Sequence, residues 1–332
     1  MLTPHRYLLS IALIVGACNG LGELSDPPQG QDHDGAVPDA SKQTLAAKDF
    51  TKTRYPIVLA HGLGGARKIA GVVDYWYGIT DDLKSTGAQV FVTQVSAANS
   101  SEVRGEQLLQ QIQQILAMTG AAKVNLVGHS QGGFDVRYVM GVRPDLIASL
   151  TTVAGPHLGA DLADLISANI TPNGFSGALL ERFGNALGSL LGLLADIPDA
   201  PQDALGALRT LSAAGASEFN KRFPAGLAAT RCGATPVTNG TIPLFSWIGA
   251  TARTNSLDLF DAALALSTDV YSEPNDGLVG RCSSHFGQVL RDDYQMNHLD
   301  EINQFFGLTS IFEVNPISVY RSHANRLKLA GL

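Results

Sequence analysis

Charge is scarce in this chain. Asp, Glu, Lys and Arg make up 16% of its 332 residues, and the balance is acidic, at −7. No basic cluster interrupts that balance, which argues against nucleic acid as a partner. Cysteine is scarcer still: Cys18, Cys232 and Cys282 are the only three, without a C-x-x-C or a Cys/His cluster of the zinc-binding kind. No apolar run approaches the ~20 residues that span a bilayer. There is no G-x-x-x-x-G-K-[ST] phosphate loop, no D-x-D-x-D-G calcium loop and no internal repeat. Hydrophobic residues, by contrast, make up 45% and glycines number 35. A chain of this length and composition suits one large α/β domain or two small ones.

The chain is organised around Ser130. Residues Lys123 to Gly133 read K-V-N-L-V-G-H-S-Q-G-G. Val124, Leu126 and Val127 belong to a short apolar run of the buried-strand kind. Gly128, Ser130 and Gly132 then supply G-x-S-x-G. A strand that turns sharply into a helix leaves the serine hydroxyl proud of the turn and crowds the positions two before and two after it, so glycine is needed at both. The motif alone is weak in so glycine-rich a chain. Its context strengthens it: a strand-like run before, a helix-like segment after from Gln131 to Val142, and Pro144 to stop it.

Further strands are expected over Tyr55–Ala60, Val90–Val95, Ser149–Gly155 and Pro243–Gly249. An amphipathic helix is expected over Ser101–Met118, with Leu108, Ile112, Ile115 and Leu116 on one face and Gly120 just past its end. A final helix should run from Pro316 through Leu329. Strands alternating with helices predict a mostly parallel sheet with helices on both faces. The aromatic stretch Val72–Tyr77 reads as packing on the sheet, with a pocket-lining role as the alternative.

At the start, Met1–Arg6 and the apolar Tyr7–Gly16 read as a signal segment. Cys18 follows V-G-A, which resembles a lipobox, where a bacterial lipoprotein is cut and lipidated; a simple secretory cleavage is the competing reading. Asn19–Lys48 is polar and reads as a linker. The expected organisation is therefore a signal over 1–18, a flexible linker over 19–50 and a catalytic domain over 51–332. If Cys18 carries lipid, Cys232 and Cys282 remain as an even pair, and export permits a disulfide between them.

Three separated motifs carry a resemblance: Y-P-I-V-L-A-H-G-L-G-G near the start, V-N-L-V-G-H-S-Q-G-G in the middle, and N-D-G-L-V-G-R-C-S-S-H-F with M-N-H-L-D-E-I-N-Q near the end. Together the chain resembles the secreted bacterial triacylglycerol lipases of the Pseudomonas and Burkholderia type, from about Thr53 to the C-terminus. The resemblance implies an α/β-hydrolase fold and hydrolysis of long-chain triacylglycerols at a lipid–water interface; a carboxylesterase or acyltransferase acting on soluble short-chain esters is the alternative. It also implies a dedicated folding chaperone. The signal segment and the lipobox-like V-G-A before Cys18 point to a protein that is secreted or held in the envelope as a lipoprotein.

In α/β-hydrolases the triad runs Ser, then Asp or Glu, then His along the chain. His285, His298 and His323 follow Ser130 at useful distance, and the motif M-N-H-L-D-E selects His298. Asp258, Asp261, Asp269 and Asp276 are candidates for the acid; N-D-G-L-V selects Asp276, whose other reading is a plain Asn-Asp-Gly turn. The H-G-L-G-G loop and the residue after the nucleophile point to the Leu63 and Gln131 amides as oxyanion donors.

Asp300 stands two residues past His298, where its charge would hold up the histidine pKa unless neutralised. The resemblance implies a structural Ca²⁺ held by the Asp258 and Asp300 carboxylates and the Gln304 and Leu308 carbonyls. The run from Asp258 to Asp276 is shorter than the family's, which makes Asp261 a substitute for Asp258. The plain reading of Asp300 is a helix N-terminal charge. The apolar, glycine-spaced segment around Ala178–Asp196 reads as a lid, within about 160–200, or as a core helix.

Overall fold

The computed structural model describes residues 48–69, 73–171, 174–175 and 202–332. The proposed signal, Cys18 and most of the linker lie outside the described residues, as does most of the lid segment.

Six strands form one parallel sheet: β1 (Ile57–Ala60), β2 (Val90–Val92), β3 (Val124–His129), β4 (Ile147–Val153), β5 (Ile242–Gly249) and β6 (Gln288–Tyr294). Their order is β6-β5-β4-β3-β1-β2, and Thr238–Asn239 adds a short antiparallel edge to β5. The expected α/β architecture is thus present. The strand bounds differ at the ends. β4 starts two residues earlier than expected, because Pro144–Leu146 forms a single 3₁₀ turn that delivers Ile147 straight to the sheet. β2 stops at Val92 rather than Val95.

Register explains the alternating core. Val58, Leu126, Leu150 and Leu244 are successive partners across four strands. They face α2 (Ser101–Thr119) and α3 (Gly132–Val142), where Leu108, Ile112, Val136 and Val139 complete one apolar layer. Leu59, Val127, Val153 and Trp247 point the other way, onto α1 (Ile79–Ser85) and the C-terminal helix Pro316–Leu329. One residue of slip would exchange the two faces. The inner strands are buried throughout and apolar, as a sheet covered on both sides requires. Polar residues inside it are paired: Ser149 Oγ donates to Asn125 Oδ1 at 2.7 Å, and Asn125 Nδ2 donates to the Tyr55 carbonyl at 3.1 Å. β6 at the edge is polar and only partly buried.

α2 runs one residue past its expected end. The Ser100 hydroxyl caps its start, accepting from the Val103 amide, and Gly120, left-handed at φ 69°, closes its end. Sheet order changes direction between β1 and β3: β2 lies beyond one, β4 to β6 beyond the other. In open parallel sheets that reversal leaves a crevice at the carboxyl ends of the strands. Gly62 follows β1 there, and Ser130 follows β3.

Candidate active site

Ser130 sits between β3 and α3 with φ 55°, a left-handed conformation that costs a non-glycine residue on the order of 1–3 kcal/mol. The turn persists because it is pinned. The Ser130 amide donates to the Val153 carbonyl at 2.9 Å, and its carbonyl accepts from the Gly133 amide at 2.9 Å. The crowding expected of G-x-S-x-G is present in detail. A Cβ on Gly128 would lie 2.2 Å from the Gly132 carbonyl oxygen, and one on Gly132 would lie 2.5 Å from the Ala60 carbonyl oxygen. A Cβ on Gly62 would lie 2.6 Å from the Ser130 Cβ, so the loop after β1 closes directly over the serine.

That loop is braced from below. Arg104 is wholly buried; it donates to the His61 carbonyl at 2.6 Å and the Ser96 carbonyl at 2.6 Å, and pairs with Asp135 at 2.8 Å. Burial pushes the Asp135 carboxyl up to about 6, against the pull of the Arg104 guanidinium. Among the described residues, the Leu63 and Gln131 amides donate to no protein group. Both residues flank Ser130: Leu63 lines the same cavity and Gln131 follows it in the chain.

Tyr75 answers the question left by the aromatic stretch: Tyr75 and Trp76 pack in the core, and Tyr75 also lines the cavity at Ser130. Its hydroxyl accepts from the Gly62 amide at 3.0 Å and bonds His129 Nδ1 at 2.7 Å. His129 Nε2 in turn lies 3.0 Å from the His298 carbonyl oxygen. A buried chain of hydrogen bonds thus ties the loop after β1 to the backbone of His298. Burial and the nearby His298 ring hold His129 well below the usual histidine range.

His298 and Asp276 meet. His298 Nδ1 lies 2.8 Å from Asp276 Oδ2, and the His298 amide donates to the Asp276 carbonyl at 3.0 Å. Asp276 Oδ1 accepts from the Leu278 and Val279 amides at 2.8 and 2.7 Å. Asp276 is fully buried, and its turn needs Gly277 at φ 97°. The other candidates stand apart. His285 pairs with Asp292 at 2.9 Å. His323 is buried beneath the sheet, bonded to Thr151 Oγ1 at 2.8 Å. Asp269 is exposed.

Ser130 and His298 line one cavity of about 130 Å³. The rest of its wall is mostly apolar: Leu162 and Ile166 from α4 (Asp161–Asn169), Leu208 and Leu211 from α5 (Ala204–Leu211), then Leu278 and Leu299. The nucleophile candidate, the acid–base pair and a slot for a hydrocarbon chain therefore converge.

The motifs pass over Glu301. It is buried, accepts from the Gly249 amide, and its Oε2 lies 3.7 Å from His129 Nε2. Burial, reinforced by nearby Asp276, pushes its carboxyl well above the usual carboxylate range. Nothing in M-N-H-L-D-E distinguishes this acid from a solvent-facing one. His129, His298 and Glu301 have ligand atoms within 4.8 Å of one another, but the bonds from His298 to Asp276 and from His129 to the His298 carbonyl already engage both imidazoles.

Asp300 turns away from His298. Its Oδ2 accepts from Thr254 Oγ1 at 2.6 Å and from the Asn297 amide at 3.1 Å. Burial pushes it up to about 7, opposed by those two bonds and reinforced by Asp261 and Asp258. Asp258 Oδ2 and Asp300 Oδ1 are buried without partners. Both oxygens of Asp261 are engaged, by the Thr254 and Asn255 amides and Asn297 Nδ2. The donor chemistry fits a hard dication, and of the two alternatives Asp258 is the one with a free oxygen. A disulfide joins Cys232 to Cys282, with Cα atoms 4.7 Å apart, six residues past Asp276.

Fold and site define an α/β-hydrolase. Residues 55–248 match the alpha/beta hydrolase fold family, to which the chain belongs. Within it the chain belongs with the bacterial triacylglycerol lipases. It is 49% identical to a triacylglycerol lipase of Vibrio cholerae over 292 residues, covering 88% of this chain and 93% of that one. It is 42% identical to a triacylglycerol lipase of Burkholderia plantarii over 329 residues, covering 88% and 91%. A crystal structure of a Bacillus licheniformis lipase in mature form shares the fold, with a TM-score of 0.53 at 20% identity over 76% of this chain and 89% of that one.

Proposed function

We propose that this protein is a triacylglycerol lipase that cleaves long-chain esters at a lipid–water interface through Ser130, His298 and Asp276. The observation that carries the reading is the His298–Asp276 pair in the wall of the same apolar cavity as Ser130. Ser130 Oγ attacks the ester carbonyl while His298 takes its proton and then delivers it to the leaving glycerol oxygen. Asp276, held by two backbone amides, fixes the imidazole tautomer and stabilises the imidazolium. The Leu63 and Gln131 amides, left free by their own chain and the latter at the start of α3, receive the oxyanion. Water activated by His298 then releases the acyl group from Ser130, and the leucine-lined slot holds its chain.

A Ca²⁺ on Asp258, Asp300 and the Gln304 and Leu308 carbonyls would neutralise two buried carboxylates and fasten the loop before α6 (Leu259–Ala265) to the His298 loop. The unpartnered Asp258 and Asp300 oxygens support that reading. Export and dependence on a folding chaperone complete the proposal on the strength of the family resemblance, and the lipobox-like V-G-A before Cys18 supports lipidation there. Among the described residues no helix is long and apolar enough to cross a membrane.

The test is hydrolysis of a long-chain triacylglycerol emulsion beside a dissolved short-chain ester, with Ser130→Ala as control. Emulsion activity that disappears in the variant is expected. Activity confined to the dissolved ester would make the protein an esterase with the same nucleophile.

A further inference from the structure

Apart from the catalytic cavity, the described surface carries an apolar patch that packing does not explain. Ile311 is 85% exposed and Phe312 84%, while Phe306 stands 67% exposed a few residues earlier. The run Ile302–Phe312 holds no charged residue. Leu257, 74% exposed, lies in the neighbouring loop, which Asn255 Nδ2 ties to the Thr309 carbonyl at 3.1 Å. Isolated exposed leucines need no account; a contiguous uncharged patch does.

The backbone is strained to present it. Phe305 and Phe306 both take left-handed conformations, φ 51° and 61°, which bulky residues avoid. The result splits the pair. Phe305 turns inward and stacks on Phe260 at 3.8 Å between ring centroids, while Phe306 faces solvent with only its edge against Tyr77. Strain of this kind persists where something is gained by the conformation. The inward half joins the patch to the site: Phe305 packs in the same apolar cluster as Leu299 and Leu278, and those two line the cavity at Ser130.

We infer that Phe306, Ile311 and Phe312, with Leu257 beside them, form an anchor that inserts into the surface of a neutral lipid and that is continuous, through Phe305, with the wall of the catalytic cavity. The occupant is a lipid surface because the patch is apolar, because the run that carries it holds no charge, and because its inner side joins the apolar cluster that lines the acyl slot. Binding of such elements scales with the apolar area they bury. The inference rests on the lipase reading, since only a substrate presented at an interface gives the anchor a purpose.

The experiment is partitioning of the full chain onto triolein droplets, measured by flotation. Inactive Ser130→Ala protein is compared with Ser130→Ala carrying Phe306→Asn, Ile311→Ser and Phe312→Ser, and the same triple change is made in the active chain. The expected result is a drop in droplet binding of roughly tenfold or more. Melting temperature and hydrolysis of a dissolved short-chain ester should stay as in the parent. Equal binding by both proteins would overturn the anchor while leaving the lipase intact. A loss of melting temperature or of dissolved-ester activity would also overturn it, by making the loop structural. A dimer that the triple variant splits into monomers would reassign the face to a second copy of the chain. If the parent neither binds nor hydrolyses triolein, the lipase reading fails and takes the anchor with it.

Discussion

The two halves of the catalytic site are held in different ways. The nucleophile turn between β3 and α3 is held mainly by sterics: Gly128 and Gly132 have no room for a Cβ, and the Ser130 backbone is pinned to Gly133 and Val153. The loops carrying Asp276 and His298 are held by polar bonds between distant pieces of chain. They depend on the His298–Asp276 bonds, the Tyr75–His129–His298 chain and a disulfide. A local steric device is robust and easily recognised. A distributed polar device is adjustable, costs more when one member is lost, and leaves fewer traces in any one stretch of sequence.

The sharpest separation comes from chemistry. Ser130→Ala should lower ester hydrolysis by about 10⁶-fold, as removal of a triad nucleophile does elsewhere. Asp276→Asn should cost about 10⁴-fold, because the wrong imidazole tautomer survives in sound geometry. Both are read from kcat/KM on a dissolved ester with the melting temperature unchanged. Equal, small losses would remove Asp276 from the acid's place.

The distributed half is next. Replacing Cys232 and Cys282 by serine opens a closure of 50 residues, worth about 4 kcal/mol in unfolded-chain entropy. A melting temperature that does not move would show the bond to be idle. Chelation should act on the same half: a dication present at a hundred times its Kd contributes about 3 kcal/mol. EDTA should therefore lower the melting temperature, and calcium, but not magnesium at equal concentration, should restore it. An indifferent melting curve would remove the ion from Asp258 and Asp300.

Gly128→Ala probes the steric half. Its Cβ meets the backbone oxygen of Gly132 rather than a movable side chain, so about 1–3 kcal/mol of overpacking is expected. Dissolved-ester activity should fall with it, because the turn carrying Ser130 must shift. A fully active, fully stable variant would mean that the turn has slack.

A pH profile tests the sheet itself. Burial, helped by nearby Arg326, lowers the His323 pKa to about 3. The unfolded chain takes up a proton at that residue below about 6.5, while the folded chain refuses it. Its share of stability is complete above pH 6.5 and is lost as pH falls towards 3, at up to about 1.4 kcal/mol per unit. Unfolding midpoints in urea between pH 7 and 4.5 should show a shallower slope in His323→Gln than in the parent.

Much of this protein is legible in its residues. The alternation of apolar strands and helices, the glycine spacing around Ser130, the capped helix Ser101–Thr119 and the final helix from Pro316 each follow from local rules, and each is present. Sterics and hydrophobic periodicity act over a few residues, so a short stretch contains the whole reason. The places where prediction slipped are those where the reason lies elsewhere in the chain. The extra residues at the start of β4 depend on a 3₁₀ turn docking to the sheet. His323 is buried only because the last helix packs beneath β4. Asp258 and Asp261 read alike in sequence; only the fold spends both oxygens of Asp261 on neighbouring loops and leaves one of Asp258 free. Glu301 is the extreme case, a carboxyl whose pKa is pushed well up, first by burial, and which the fold places against His129. Which groups are present was written in the chain; which are buried, paired or left open was decided when segments far apart in sequence closed on one another.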